Sequence, residues 1–198
     1  VKGKFITVEG LDGCGKSTHV KLLAKWLRQK GFKVVCTDEP TDGPMGKIIK
    51  RLLVGKVKVP TEVEVALFAA DRMKHLSGLI MPSVEAGKIV LNERYIYSSL
   101  AYQHARGVSR AIVRKANEMA PPPDLAILVD IPAEAALSRI QKTRTLDEFE
   151  KDLKLQKHVR KNYLSLVKRG DLKLVNGQCS LQEVQADIRK LVSPLLTC

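Results

Sequence analysis

Five short apolar runs recur along the chain: Lys4–Glu9, Lys33–Asp38, Lys88–Glu93, Leu125–Ile131 and Leu172–Asn176. Each is rich in Val, Ile or Leu and mostly uninterrupted rather than alternating, the pattern of strands covered on both faces. Between them apolar positions recur with the helical period. Val20, Leu23, Ala24 and Leu27 form one stripe, Val65, Phe68, Ala69 and Leu76 a second, and Leu181, Val184, Ile188, Leu191, Val192 and Leu195 a third. Strands alternating with helices predict an α/β fold, a parallel sheet flanked by helices in three layers, with ligands at the carboxyl ends of the strands. Pro82 is expected to kink or end the long central helix, and "APPPD" at 120–124 breaks the chain before the fourth strand. No repeat or linker interrupts the 198 residues, which predicts one domain over 1–198.

Composition narrows this picture. Hydrophobic residues make up 44% of the chain, enough for a core, yet the longest apolar runs are far too short to span a bilayer. The basic start leads straight into a glycine-rich loop that a cleaved leader would destroy, so no targeting segment is read there. Cys14, Cys36, Cys179 and Cys198 are scattered without a CxxC pair, which argues against a disulfide framework or zinc site and fits a reducing cytoplasm. The net charge of +13 raises nucleic acid as a partner. The basic residues are spread along the chain, however, and aromatics are only 5%, which leaves few stacking platforms. A cleft that handles two polyanionic nucleotides favours the same charge.

The chemistry starts after the first strand. Gly10-Leu11-Asp12-Gly13-Cys14-Gly15-Lys16-Ser17, followed by Thr18, fits G-x-x-x-x-G-K-[ST] between a predicted strand and a predicted helix. Glycines let successive backbone N–H groups turn inward around an anion, and the helix adds its positive N-terminal end. Lys16 can reach the β- and γ-phosphates of a nucleoside triphosphate, and the Ser17 hydroxyl can ligate Mg²⁺. The loop predicts a P-loop NTPase fold. No Asn-Lys-x-Asp element for reading guanine is present, and the chain has no room for a motor's further domains.

Where the phosphoryl group goes is implied by a resemblance. "VEGLDGCGKST", "DEPTDGPMG", "LFAADR", "NERYIYSSLAYQ" and "LVDIPAEAALSRIQKTR" occur in the order and spacing of thymidylate kinases, from Phe5 to Gly177. The resemblance implies ATP-dependent phosphorylation of dTMP to dTDP, with Mg²⁺, and a homodimer; a membrane is excluded as partner and nucleic acid set aside. Two rivals stay open from the residues: the same chemistry on dUMP, another deoxynucleotide or a deoxynucleoside, and a P-loop nucleic-acid-binding or regulatory protein.

Each block has a physical reading beside the resemblance. Glu93 and Arg94 end an apolar strand near the phosphates, Glu93 placed to hold Mg²⁺ and Arg94 to clamp the acceptor phosphate and the transferring group. The family normally has Asp-Arg at this point. Phe68 and Arg72 share a helix face, so Phe68 can stack a pyrimidine while Arg72 donates to its carbonyl oxygens. Ser98 and Tyr102 are likewise on one face, and the resemblance places Tyr102 against the sugar, where it selects deoxyribose. Asp12 matches the carboxylate that faces the acceptor's sugar or phosphate, and Glu39 belongs to the same substrate-binding set. A lid at about 139–150 carries Arg139, Lys142 and Arg144. Because Gly13 stands where some members carry a loop arginine, the lid is expected to supply the catalytic one, with Arg144 first and Arg139 on the adenine or donor phosphates. Some members place an acceptor-phosphate arginine where this chain has Asp42.

Overall fold

The computed structural model describes residues 3–142 and 150–196. Five strands, β1 (Lys4–Glu9), β2 (Val34–Asp38), β3 (Ile89–Glu93), β4 (Leu125–Asp130) and β5 (Lys173–Asn176), form one sheet in the order β2-β3-β1-β4-β5. Every pairing is parallel. The helices are α1 (Lys16–Gln29), α2 (Pro44–Leu53), α3 (Thr61–His75), α4 (Met81–Glu85), α5 (Ile96–Ala105), α6 (Arg110–Ala116), α7 (Ala133–Gln141), α8 (Leu153–Lys168) and α9 (Leu181–Val192). No described helix is long and apolar enough to cross a membrane.

Alternation along the strands feeds two cores. Phe5 and Val90 point to one face, where they meet Leu76, Ile80 and Val84. Ile6, Val8, Ile89 and Leu91 join Leu23, Leu27, Val184 and Ile188 in a larger cluster that also takes in α5 and α8. The expectation of strands covered on both faces holds for β1, β3 and β4. The edge strands differ: β2 and β5 each keep exposed positions, because an edge has a neighbour on one side only.

Two helical expectations need correction. Pro82 neither ends nor visibly breaks the central helix, which continues from α3 through one π-turn, Leu76–Ile80, into α4. Proline sits at the start of α4, where its missing N–H is tolerated, and the wider turn before it accommodates the ring. Phe68, read as part of the apolar stripe, is half-buried and lines a cavity instead of joining the core.

Parallel strands all end on one side, so the five following segments gather there. They are residues 10–15 after β1, 39–43 after β2, Arg94 after β3, 131–132 after β4 and Gly177 after β5. The central strand β1 delivers the glycine loop to the middle of this edge, between β3 and β4.

Candidate active site

Two cavities open at this edge, of about 280 and 340 Å³. The loop cavity is lined by Asp12, Gly13, Gly15, Lys16, Ser17, Thr18, Glu93, Arg139 and Ile140. Its walls are close-packed. Gly13 has φ 79°, and a Cβ there would lie 2.4 Å from the Ala136 carbonyl oxygen of α7, so only glycine fits. Lys16 is buried and its Nζ donates to the carbonyls of Gly10 (3.2 Å) and Leu11 (2.9 Å). Arg139 Nη2 donates to the Gly177 carbonyl at 3.2 Å, which ties α7 to the segment after β5. Gly10, Leu11 and Cys14 do not line the cavity. Leu11 and Cys14 pack into the core, and burial holds the Cys14 thiol pKa up against the pull of Lys16. Those three serve the loop's shape, and any ligand contact from them is through backbone.

Ser17 Oγ donates to Glu93 Oε2 at 2.7 Å on the cavity wall. Two hard oxygens side by side, next to a lysine, suit Mg²⁺, which takes one or two protein oxygens and completes its shell with phosphates and water. No cluster of three or more His, Cys, Asp or Glu forms a metal cage among the described residues. The Ser17–Glu93 pair fits a metal brought with a nucleotide.

The second, helix-lined cavity brings Asp12, Arg94, Ser98, Tyr102 and Phe68 together, with Ser99, Gln103, Lys50 and Asp38. Asp12 lines both cavities. Arg94 is the centre of its polar wall. Its φ is 70°, a left-handed conformation that a non-glycine residue adopts at a cost of roughly 1–3 kcal/mol. The backbone is held there by Arg94 N–H to the Val8 carbonyl at 3.0 Å and by Asn92 Nδ2 to the Arg94 carbonyl at 2.8 Å. Its side chain reaches Asp12 Oδ1 at 2.6 Å through Nη2 and Ser98 Oγ at 3.1 Å through Nη1. Burial opposes the guanidinium charge, but the adjacent Asp12 carboxylate favours it, and Arg94 stays cationic. The Tyr102 hydroxyl lies 3.5 Å from Asp12 Oδ2, and burial followed by the Asp12 charge keeps that phenol protonated.

Glu39 and Arg72 are placed otherwise than the sequence implies. Arg72 is 1% exposed, and neither residue lines the cavity. Arg72 donates from Nε to Glu39 Oε2 at 2.9 Å, from Nη1 to Asn117 Oδ1, and from Nη2 to Ser99 Oγ at 3.3 Å. His75 Nδ1 lies 3.3 Å from the other Glu39 oxygen. A buried arginine needs such partners, and satisfying them draws it behind Ser99, one hydrogen bond away from the cavity. Arg144 lies outside the described residues.

Several lining residues carry no signal in the sequence reading. Both amide atoms of Gln103 are buried without a hydrogen-bond partner among the described residues, although the side chain borders the cavity. Lys50, one turn before the end of α2, lines the same cavity and donates to Asp42 Oδ1 at 2.6 Å. Gln103 follows Tyr102 directly, and its i, i+4 spacing from Ser99 puts both on one face of α5.

Comparison with known proteins gives this geometry a family context. The chain matches the family model for thymidylate kinase over residues 8–188. It is 44% identical to a probable thymidylate kinase of Pyrococcus horikoshii over 198 residues, 97% of each chain. It is 46% identical to a probable thymidylate kinase of Thermococcus onnurineus, over 95% of this chain and 96% of the relative. It is 43% identical to a thymidylate kinase of Desulfotalea psychrophila, over 98% of this chain and 96% of the relative.

Proposed function

The chain belongs to the thymidylate kinase family, and from that premise we propose that its loop cavity holds ATP and its helix-lined cavity holds dTMP. It is a nucleoside-monophosphate kinase that transfers a phosphoryl group from ATP to dTMP, giving ADP and dTDP. The observation that carries the division of labour is the meeting of the two cavities at Asp12, with Arg94 clamped beside it. Two nucleotides entering from opposite sides bring their phosphates together at that point.

A phosphate oxygen of dTMP attacks the γ-phosphorus in line, the bond to the β,γ-bridging oxygen breaks, and the electron pair leaves with ADP. No covalent enzyme intermediate is needed, so the work is positioning and charge neutralisation. Lys16 exchanges its loop carbonyls for the β- and γ-phosphates. Arg94 faces both the acceptor phosphate and the transferring group, and Lys50 supplies a second cation on the acceptor side in place of the arginine absent at Asp42. Ser17 and Glu93 would hold Mg²⁺, which supplies further neutralisation of phosphate charge when bound. Phe68 stacks the pyrimidine, Gln103 and Ser99 read its polar edge, and Arg72 holds Ser99 in place. Tyr102 packs against the sugar at the position of a 2′-hydroxyl. Gly10, Leu11, Gly13, Cys14, Gly15 and Thr18 shape the ATP loop, and Arg139 takes the adenine or donor phosphates. The lid expected at about 139–150 starts on the last turn of α7, and its stretch 143–149 lies outside the described residues; we assign it the exclusion of water, with Arg144 as its catalytic arginine. One domain, a homodimer and a cytoplasmic setting complete the proposal; Cys14, Cys36 and Cys179 are free thiols, as a reducing compartment requires.

A coupled ADP-release assay with ATP–Mg²⁺ tests the reading, with dTMP, dUMP, the ribose form of TMP, dCMP, dGMP and thymidine as acceptors. Fast turnover of dTMP, weaker turnover of dUMP and poor turnover of the ribose form are expected. Equal turnover of all the monophosphates would sink the roles given to Phe68, Gln103 and Tyr102, and no turnover of any would remove the kinase assignment.

A further inference from the structure

Behind Arg94 lies a buried acid that no step above employs. Glu9 closes β1 and is fully buried. Its Oε2 accepts from Ser98 Oγ at 2.6 Å and from the Tyr163 hydroxyl at 3.2 Å, while Oε1 has no partner among the described residues. Ser98 Oγ in turn accepts from Arg94 Nη1 at 3.1 Å, and the Tyr163 hydroxyl lies 2.9 Å from it. The guanidinium is therefore suspended between two carboxylates, Asp12 directly and Glu9 through one hydroxyl. The titratable groups that face Glu9 are Arg94 after β3, Arg72 from α3, Tyr97 from α5 and Tyr163 from α8.

We propose that Glu9 is a positioning residue for phosphoryl transfer, fixing the Arg94 guanidinium through Ser98 with Tyr163 as its second support. The inference rests on the reading of Arg94 as the phosphate clamp. Ser98 has one proton. Given to an ionised Glu9, that proton is turned away from Arg94, and the Ser98 lone pairs face the guanidinium. A protonated Glu9 can donate to Ser98 instead, which frees the Ser98 proton to point at the arginine N–H and breaks the relay. Burial raises the Glu9 pKa to about 7 despite the Ser98 hydrogen bond and the Arg94 charge, so the two states interchange near neutral pH.

The test measures kcat and KM against pH for wild type, Glu9→Gln, Ser98→Ala and the double variant, with Arg94→Ala as reference. For the wild type, kcat/KM for dTMP should rise through an acid limb near pH 7. Glu9→Gln should lower the alkaline plateau on the order of 10–100-fold, leave KM for ATP unchanged, and keep only the limb of the substrate phosphate, near pH ~6. The double variant should be no worse than the worse single one, because both break one relay. Tyr163→Phe keeps the ring against Tyr102 and removes one donor to Glu9, so its limb should move to higher pH; this variant carries the test if Glu9→Gln fails to fold. Superimposable pH profiles for wild type and Glu9→Gln, or additive losses in the double variant, overturn the inference. If Arg94→Ala is itself fully active, the clamp reading fails instead.

Discussion

The two cavities that meet at Asp12 are built by opposite means. The loop cavity, proposed for ATP, is shaped mostly by backbone: a six-residue turn between β1 and α1 in which Leu11 and Cys14 face the core, with side chains added by Asp12, by Lys16, Ser17 and Thr18 at the start of α1, and by Glu93 and Arg139. The helix-lined cavity, proposed for dTMP, is mostly side chain, drawn from α2, α3, α5 and the end of β3, and backed by a second layer from β1, the residue after α6, and α8. A backbone-built site must be contiguous in sequence, because adjacent N–H groups have to converge. A side-chain-built site has no such requirement, so its parts scatter. It also buries carboxylates such as Glu9 and Glu39, and a buried carboxylate has consequences for stability.

The largest expected effect is on the ATP side. Lys16→Ala removes a buried cation from the loop cavity, and kcat should fall on the order of 10²–10³-fold. KM for dTMP should change little in steady-state assays with both substrates varied. A matching rise in KM for dTMP would mean that the two halves are coupled through Asp12, 3.6 Å from Lys16 Nζ, and would break the contrast.

Next in size is the stability cost of the dTMP side. Glu9 binds its proton more tightly in the folded protein, since burial raises its pKa from the ordinary 4.5 to about 7. The folded state is thus favoured most below the unfolded pKa, and stability declines as pH rises through about 7. A difference of that size corresponds to roughly 2–4 kcal/mol. Urea unfolding of wild type and Glu9→Gln across this range should show the variant gaining on the wild type as pH rises. Parallel curves would mean that the buried carboxyl carries no such penalty.

The same contrast explains what could be read from the chain. Uninterrupted Val, Ile and Leu runs mark the strands to within a residue at each end, because a buried parallel strand has no polar face to disguise it. The glycine loop is legible because its geometry demands glycine at fixed spacing. Arg72 and Glu39 pair in the interior instead of lining the cavity, and a motif does not show this, since it gives the charges present but not which of them neutralise one another. Glu9, Ser98 and Tyr163 meet across 89 and 65 residues of sequence, and no local pattern announces such a contact. Lys50 and Gln103 fail to stand out for another reason: a lysine near the end of an amphipathic helix and a glutamine beside a tyrosine are ordinary in isolation. Only the fold shows that one lines the cavity and the other has an amide with nothing to bond.

That amide gives the smallest and sharpest test. Gln103 is 2% exposed, borders the helix-lined cavity, and has both polar side-chain atoms unpaired among the described residues. An unpaired buried amide is destabilising, on the order of 1–3 kcal/mol, and a chain retains it at a profit only if a ligand supplies the missing partners. A thymine edge, with an N–H flanked by carbonyls, matches an amide's donor and acceptor. Gln103→Leu should therefore raise KM for dTMP about tenfold, the worth of one such hydrogen bond, and narrow the preference for dTMP over dCMP. KM for ATP should stay where it is, and the melting temperature should hold or rise, because the unpaired group is gone. Loss of stability with unchanged KM would instead make Gln103 a packing residue and move base reading to Ser99 and the arginine behind it.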